Sequence, residues 1–194
     1  MNYFCPINQL ELAIKEQNDW PTPLRINNQD YCFLHLSSYD HVATRPATNH
    51  RPSLVINIRI VFDCHVATKE ISPPFPAISA HNSHHFWVDR GGRMRLFNSD
   101  RYAESLQLRA VLQEVFDGKR KCYRGGKNNS FIWNRVAANG VSENYQIYFT
   151  ITKNNLGGVL MYIQSAFVRH GPTYEPRNDE TFIALCIKAL NHKR

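Results

Sequence analysis

The fold is decided by two neighbouring stretches of the C-terminal half, Tyr145-Gln-Ile-Tyr-Phe-Thr-Ile-Thr152 and Val159-Leu-Met-Tyr-Ile-Gln-Ser-Ala-Phe-Val168. Both are rich in β-branched and aromatic residues, which favour strands. The polar segment Asn154 to Gly158 separates them, and Asn139-Gly140 precedes the first; such segments are typical of hairpin turns. The pattern therefore predicts an antiparallel hairpin.

Further elements are expected immediately before and after this hairpin. Two shorter strands, Lys121 to Arg124 and Ser130 to Ala137, extend it to a meander of four strands. Upstream, Asn98 or Ser99 is a good N-cap for a helix that runs to about Phe116, with apolar residues at helical spacing and Asp117-Gly118 at its end. A final helix is predicted from Asp179 to Leu190.

The N-terminal half predicts more extended structure. Strands are expected at Tyr31 to Leu36 and at Leu54 to Phe62, where apolar and polar residues alternate. The segment between them, His41 to Ser53, contains two prolines and is expected to be a loop. Downstream, two short extended runs around Gly91-Gly92 predict a hairpin.

These elements together predict an α+β fold in which an antiparallel sheet meander is packed with helices. A chain of 194 residues has the size of one domain, which buries roughly 70% of the surface of its unfolded chain. We expect a single α+β domain over residues 1–194. A division into an N-terminal extension, 1–98, and a helix-plus-meander core, 99–194, is the alternative.

The charge of the chain bears on its partners. Lysines and arginines number 23 against 16 aspartates and glutamates, which gives a formal net charge of +7. A basic surface attracts polyanions, so RNA or another nucleic acid is the first expected partner and an acidic protein the second. No apolar run approaches the roughly 20 residues of a membrane-spanning helix, and no secretory signal precedes the first strands. We expect a cytoplasmic protein with no membrane association.

The five cysteines are widely spaced and form no CxxC pair. An odd number of separated cysteines favours free thiols in a reducing compartment over a disulfide framework. Most of them lie in or beside apolar stretches, where cysteine commonly packs as a small buried side chain.

The segment Asp63-Cys64-His65-Val66-Ala67-Thr68-Lys69 places several polar and reactive side chains at the end of a buried strand. A histidine titrates near neutral pH and can donate or accept a proton, so His65 is a candidate general acid or base. Thr68 and Lys69 could contact a phosphate. The alternative is a strand end at which a backbone carbonyl simply satisfies the histidine.

Two further chemistries are considered at this segment: a cysteine nucleophile activated by histidine, and a zinc site of Cys64 with His81, His84 and His85. Adjacent residues of an extended strand point to opposite faces, which argues against Cys64 and His65 serving one site. The histidine run also lacks a cysteine pair or a helical HExxH arrangement. We therefore assign no metal ligand and no cofactor.

Basic residues alternate with aromatic ones over about forty residues. Arginine and lysine can pair with the phosphate backbone, and aromatic rings offer flat faces to unpaired bases. The alternative is an ordinary solvated charged surface. The candidate nucleic-acid-binding residues are Arg95, Arg101, Tyr102, Arg120, Tyr123, Arg124 and Lys127.

Arg169 and His170 follow the last predicted strand directly. A positive side chain at a sheet rim can stabilise the pentavalent phosphorane that forms when a ribose 2′-hydroxyl attacks the adjacent phosphate, and a histidine or tyrosine can move the protons. This reaction needs no metal.

The order of a helix at 99–116 followed by four antiparallel strands resembles the RelE and barnase-like ribonuclease toxins over residues 99–170. The resemblance implies a helix on a meandering sheet whose concave face cleaves RNA. It implies catalytic groups near Arg124, Arg135, Tyr145, Arg169 and His170, without assigning individual roles. The chain is about twice as long as those toxins, and its N-terminal strands have no counterpart in them.

Two functions fit these features of the sequence. The first is a metal-independent endoribonuclease of toxin or defence type, with catalytic candidates His65, His170, Arg169, Arg135 and Tyr145; it predicts cleavage in EDTA. The second is a non-catalytic basic module that binds nucleic acid or an acidic protein and leaves it intact, and for this module a phage or defence origin is considered. A zinc-dependent protein is a third and weaker hypothesis, which metal analysis would test.

Overall fold

The computed structural model describes residues 20, 23–74, 76, 85–125, 128–136, 140–169 and 179–191. The structure is 49% strand and 23% helix. The strands are β1 (Leu24–Ile26), β2 (Gln29–Tyr31), β3 (Tyr39–Arg45), β4 (Leu54–Phe62), β5 (Thr68–Glu70), β6 (Phe86–Val88), β7 (Met94–Phe97), β8 (Cys122–Gly125), β9 (Asn128–Val136), β10 (Ser142–Lys153), β11 (Val159–Arg169) and β12 (Asp179–Glu180). The α-helices are α1 (Ser99–Ser105), α2 (Leu108–Phe116) and α3 (Phe182–Asn191), and 3-10 turns occupy Leu34–Leu36 and Cys64–Val66.

The main sheet has seven strands and is curled like half of a barrel. Its strand order is β12-β8-β9-β10-β11-β4-β3. The neighbours pair antiparallel except β11 and β4, which run parallel with Val159 opposite Ile58. Strands from both halves of the chain therefore belong to one sheet. Two small sheets, β1-β2 and β5-β7-β6, complete the strand structure of the described residues.

The predicted α+β fold, an antiparallel sheet meander packed with helices, is wrong. Strands β8 to β11 do follow one another antiparallel, but β4 and β3 continue the sheet beyond β11 through a parallel pair. The structure is mostly β. Turn residues report only pairing between strands that are adjacent in sequence, so the parallel pairing of β4 with β11 had no local signal.

The core lies between the main sheet and the helices. In β4, Ile56, Ile58 and Ile60 are buried while Asn57 and Arg59 are exposed, which confirms the predicted half-buried strand. The same core contains the apolar face of α2 and one face of β10. Its members from these two elements are Leu108, Val111, Leu112, Val115, Tyr145, Ile147 and Phe149.

The predicted helix over residues 99–116 is two helices, separated at Leu106 and Gln107. The first is capped as expected, since the Asn98 side chain accepts a hydrogen bond from the Arg101 amide. At its end the Ser105 hydroxyl donates to the carbonyl of Tyr102, 2.7 Å away, and the Gln107 amide donates to the carbonyl of Glu104. Hydrogen bonds of this kind tighten the last turn of a helix and end it, because they compete with the backbone hydrogen bonds from residue i to residue i−4.

Three other local predictions are wrong. The expected strand over 31–36 ends at Tyr31 and is followed by the 3-10 turn, and the expected loop over 41–53 contains most of β3. In β3 only Ala43 is buried, so its sequence lacks the regular alternation of apolar and polar residues that predicts a strand. The final helix begins at Phe182, because Asp179–Glu180 pairs with β8 as β12. The hairpins at Gly91-Gly92, between β9 and β10 and between β10 and β11 are confirmed.

The described cysteines are free thiols: Cys64, Cys122 and Cys186 are buried and Cys32 is exposed, while Cys5 lies outside the described residues. Within the described part of the chain, no helix has the length and apolar character to span a membrane.

Candidate functional site

A 3-10 turn carries His65 at the end of β4. The carboxylate of Asp63 caps the turn by accepting a hydrogen bond from the His65 amide at 3.1 Å, and the Asp63 amide donates to the carbonyl of Ile163 on β11 at 2.9 Å. The Arg101 guanidinium, from α1, donates to the His65 carbonyl at 2.8 Å. The backbone of His65 is thereby held from both sides.

Cys64 and His65 were expected to point to opposite faces of an extended strand, and this expectation is wrong because both lie in the turn. Burial and the neighbouring carboxylate of Asp63 raise the pKa of the Cys64 thiol well above its usual range. The thiol donates to Asp63 Oδ1 at 3.2 Å. Cys64 is therefore a protonated, buried side chain and a poor nucleophile.

Asp89 organises the turn between β6 and β7. Its Oδ1 accepts hydrogen bonds from the amides of Gly91 and Arg93, at 2.8 and 3.0 Å, and its Oδ2 accepts one from Arg93 Nε at 2.9 Å. Its side chain is only 2% exposed. Burial alone would raise the pKa of Asp89, but the Arg93 amide, the contact with His65 and the Gly91 amide hold it below the usual value. The carboxylate is therefore ionised at neutral pH.

The same carboxylate contacts His65. Nε2 of His65 lies 3.0 Å from Asp89 Oδ2 and 3.9 Å from Asp63 Oδ1. Because both neighbours are acceptors, Nε2 holds the ring proton and Nδ1 has the lone pair. Burial lowers the pKa of His65, and this outweighs the opposite effects of Asp63 and Asp89. The imidazole is therefore neutral at pH 7 and oriented by a fixed carboxylate.

Tyr162, on β11, contacts the cluster of Asp63, His65 and Asp89. Its hydroxyl donates to Asp63 Oδ2, and burial together with this bond raises the pKa of Tyr162 well above its usual range. The Arg90 guanidinium lies over its ring, 4.2 Å from the centroid. Arg90 is exposed and makes no ion pair with any described carboxylate. One face of the guanidinium is covered by Tyr162, and the exposed remainder of the side chain is a positive charge that a ligand can reach.

A cavity of about 340 Å³ joins these groups to the sheet. Its walls include Asp63, His65, Asp89 and Arg90 on one side and Asn128, Tyr148, Gln164 and Ser165 on the sheet. Consecutive strand residues normally point to opposite faces, but Gln164 and Ser165 both line the cavity. A β-bulge explains this: Tyr148 pairs with Ser165 and Phe149 with Ile163, so Gln164 is the extra residue.

Asp63, Cys64 and His65 are the one group of metal-ligating type among the described residues, with ligand atoms within 4.8 Å of one another. Their atoms are already paired with each other and with Asp89 and Tyr162. A metal ion bound by all three would have to displace these hydrogen bonds, and only Nδ1 of His65 is left unpaired among the described contacts. Of the histidines considered for zinc, His85 approaches the carbonyl of Arg25 at 3.4 Å, and His81 and His84 lie outside the described residues.

Apart from His65, the catalytic candidates that the structure describes do not line the cavity. Arg135 is paired with Glu104 and Glu143, at 2.6 and 2.8 Å. Tyr145 is completely buried in the core, and burial raises its pKa far above the usual range. Arg169 is exposed at the end of β11, and His170 lies outside the described residues.

Three predicted nucleic-acid-binding residues form hydrogen bonds within the protein. Arg95 is 4% exposed and donates to the hydroxyl and carbonyl of Thr68. Arg101 supports the His65 turn. The Tyr102 hydroxyl donates to the carbonyl of Cys32 at 3.0 Å. Arg95 is thereby closed to a base or phosphate, whereas Arg101 and Tyr102 are half-buried and already engaged in these contacts.

The other predicted nucleic-acid-binding residues lie at or near β8. Arg120 is paired with Glu114, and Tyr123 pairs with Ser130 of β9 in the sheet. Arg124 is exposed, and no described carboxylate pairs with it. Lys127 lies outside the described residues. Among the described basic residues of this group, Arg124 is the one that is exposed and has no carboxylate partner.

Sequence reasoning missed Asp89, Tyr162 and Gln164 as site residues. Asp89 had a usable signal, because an aspartate two residues before Gly91 is typical of an Asx turn with fixed carboxylate geometry. Tyr162 and Gln164 belong to an apolar strand, and their role depends on its pairing and on the bulge. Such information is absent from the local sequence.

Comparison with curated proteins and with solved structures gives no match. A family model does match, over residues 23–190, and this range includes every residue of the cavity. The matched range is most of the 194 residues. The chain therefore belongs to the YjaZ family.

Proposed function

We propose that the chain acts on nucleic acid and that His65 is the proton-transfer group of a metal-independent endoribonuclease. The observation that carries the proposal is the 3.0 Å contact between His65 Nε2 and the buried carboxylate of Asp89 at the wall of an open cavity. A histidine oriented by a carboxylate, with a pKa that leaves it neutral, is suited to accept a proton.

The reaction is an internal transfer at one phosphate. Nδ1 of His65 takes the proton of a ribose 2′-hydroxyl, and the 2′-oxygen forms a bond to the adjacent phosphorus. The bond from phosphorus to the 5′-oxygen breaks, and that oxygen takes a proton from solvent. The products are a 2′,3′-cyclic phosphate and a 5′-hydroxyl end, and no metal is needed for the balance of atoms and charge.

Arg90 supplies the positive charge for this transition state. Other arginines near the cavity are compensated: Arg93 is paired with Asp89 and Glu70, and Arg95 lies within 4.0 Å of the same two carboxylates. Arg90 is exposed at the cavity wall and has no such partner among the described residues. A guanidinium can contact two phosphate oxygens at once and stabilise the charge that develops there.

The test compares RNA with DNA of the same sequence, each incubated with the purified protein in EDTA. Cleavage of RNA alone, with cyclic phosphate ends detected by mass spectrometry, is expected because DNA lacks the attacking hydroxyl. Cleavage of both, or cleavage that EDTA abolishes, would contradict the mechanism.

A binding module without chemistry is the second candidate. Its support is that Tyr145 is buried and Arg135 is ion-paired, which argues against a catalytic role for either, while Arg124 and Arg169 are exposed. Exposed arginines provide salt-dependent attraction to phosphates. RNA that is bound in a salt-sensitive way and recovered intact would favour this candidate.

A further inference from the structure

The sheet side of the cavity contains an acceptor that no described group satisfies. The side-chain oxygen Oε1 of Gln164 is sealed from solvent and has no hydrogen-bond partner among the described residues. Buried polar atoms in folded proteins are nearly always paired, and leaving one unpaired costs free energy. The oxygen itself does not face the cavity, but Gln164 lines it, so a rotation of the side-chain amide toward a bound ligand would give the oxygen a donor.

The position of Gln164 is a product of the bulge rather than of ordinary strand geometry. In a regular β11 only one of Gln164 and Ser165 would face the cavity, whereas the extra residue brings both to it. Bulges are frequent next to binding sites because they redirect one side chain. The cavity thus contains a primary amide, with one acceptor and two donors, beside a hydroxyl.

An aromatic face lies next to this amide. Tyr148 is directly opposite Ser165 on the neighbouring strand and also lines the cavity. Its ring is stacked on Phe167, with 5.7 Å between centroids and 18° between planes. A tyrosine fixed in this way offers a rigid surface on which a planar ligand can stack.

We infer that Gln164, Ser165 and Tyr148 form a subsite for one unpaired nucleobase, whose edge hydrogen-bonds to the Gln164 amide while its ring stacks on Tyr148. Flat rings recognised by amides and aromatic side chains are the way single-stranded nucleic acid is bound. His65 and Arg90, which line the same cavity, then contact the attached ribose and phosphate. The inference rests on the proposed function in requiring a nucleic-acid ligand.

The volume of the cavity limits the size of the ligand that can bind in it. About 340 Å³ lies at the lower end of the range of small-ligand pockets and is enough for a single nucleotide, not for a base pair within a duplex. The subsite therefore selects single-stranded regions, loops or ends.

The inference is tested by fluorescence anisotropy in EDTA with short DNA oligonucleotides, which cannot be cleaved through a 2′-hydroxyl. A single strand is compared with a strand of the same length in which every base is replaced by an abasic tetrahydrofuran unit. The intact strand is expected to bind about tenfold tighter, as stacking and hydrogen bonding of one base can provide. Gln164→Leu is expected to reduce this ratio several-fold, and Gln107→Leu, at an exposed position between the helices, is expected to leave it unchanged.

Equal affinity for intact and abasic strands would overturn the subsite, as would an unchanged ratio in Gln164→Leu. Since the assay measures binding alone, base discrimination without RNA cleavage would leave the subsite standing and remove the ribonuclease. RNA cleavage without base discrimination would do the reverse. Absence of any nucleic-acid binding would overturn both.

Discussion

Replacing Asp89 by asparagine removes the charge that holds His65 while preserving the shape of the side chain. The carboxylate accepts four hydrogen bonds, from two turn amides, from Arg93 Nε and from His65 Nε2. An asparagine whose oxygen keeps the two amides turns its NH₂ group toward Arg93 and His65. The NH₂ group and Arg93 Nε are both donors, so this hydrogen bond is lost. His65 can accept a hydrogen bond from the NH₂ group at Nε2 only if the ring proton moves to Nδ1.

The loss of stability follows from these contacts. A hydrogen bond to a charged group contributes about 1.5–3 kcal/mol, and the exposed Arg93 can regain part of its loss from water. We expect the free energy of unfolding to fall by about 3 kcal/mol, which for a chain of this length lowers Tm by about 6–12 °C. Asp40→Asn is the matched control: its ion pair with Arg59 is largely exposed and should contribute less than about 1 kcal/mol.

The assay combines urea denaturation with nitrogen-15 NMR of the imidazole ring. Wild-type protein should show the neutral tautomer protonated at Nε2, and Asp89→Asn the one protonated at Nδ1, which removes the lone pair that accepts the substrate proton. RNA cleavage should fall by about 10²- to 10⁴-fold as a result. A variant as stable as Asp40→Asn, with an unchanged tautomer, would show that Asp89 does not orient His65.

Three further outcomes are expected. Since burial lowers the pKa of His65 and the neutral ring is the active form, kcat/KM for RNA should fall toward acid pH with a midpoint below the ordinary histidine value of 6.5; a midpoint above 6.5 would contradict this. Tyr162→Phe removes the donor to Asp63 and should destabilise the fold by about 1–2 kcal/mol in urea denaturation, whereas an unchanged midpoint would show that the bond is unimportant. Gly158→Ala would place its Cβ 2.3 Å from the carbonyl oxygen of Asn57 and should cost about 1–3 kcal/mol, and a neutral effect would indicate that β4 and β11 separate easily.

The local elements of the fold were largely predictable from the sequence. Alternating burial from Ile56 to Phe62 and the Gly91-Gly92 turn follow directly from side-chain pattern and turn chemistry. The helix that was expected to be continuous is broken because Ser105 bonds back to Tyr102, a contact that propensity does not register. Such breaks in a helix depend on which backbone carbonyl the serine hydroxyl bonds to, and the sequence does not specify this.

The assembly of the sheet could not be predicted in the same way. The register of Val159 with Ile58 joins positions about a hundred residues apart, and parallel strands are not joined by a turn whose residues could signal the pairing. The same pairing brings Tyr162 to Asp63 and so creates the site. His65 was identifiable as a candidate residue, but its carboxylate partner was not, because that contact exists only after the β6–β7 turn packs on the sheet.

Whether His65 transfers the proton in RNA cleavage is decided by the rate constant for cleavage of one labelled RNA in EDTA. Wild-type protein is compared with His65→Ala and with His50→Ala, a histidine replacement at an exposed loop position, after circular dichroism has shown that all three are folded. We expect a loss of about 10²- to 10⁴-fold for His65→Ala and wild-type activity for His50→Ala. Equal rates for the two variants, or no cleavage by the wild-type protein, would rule out this role for His65.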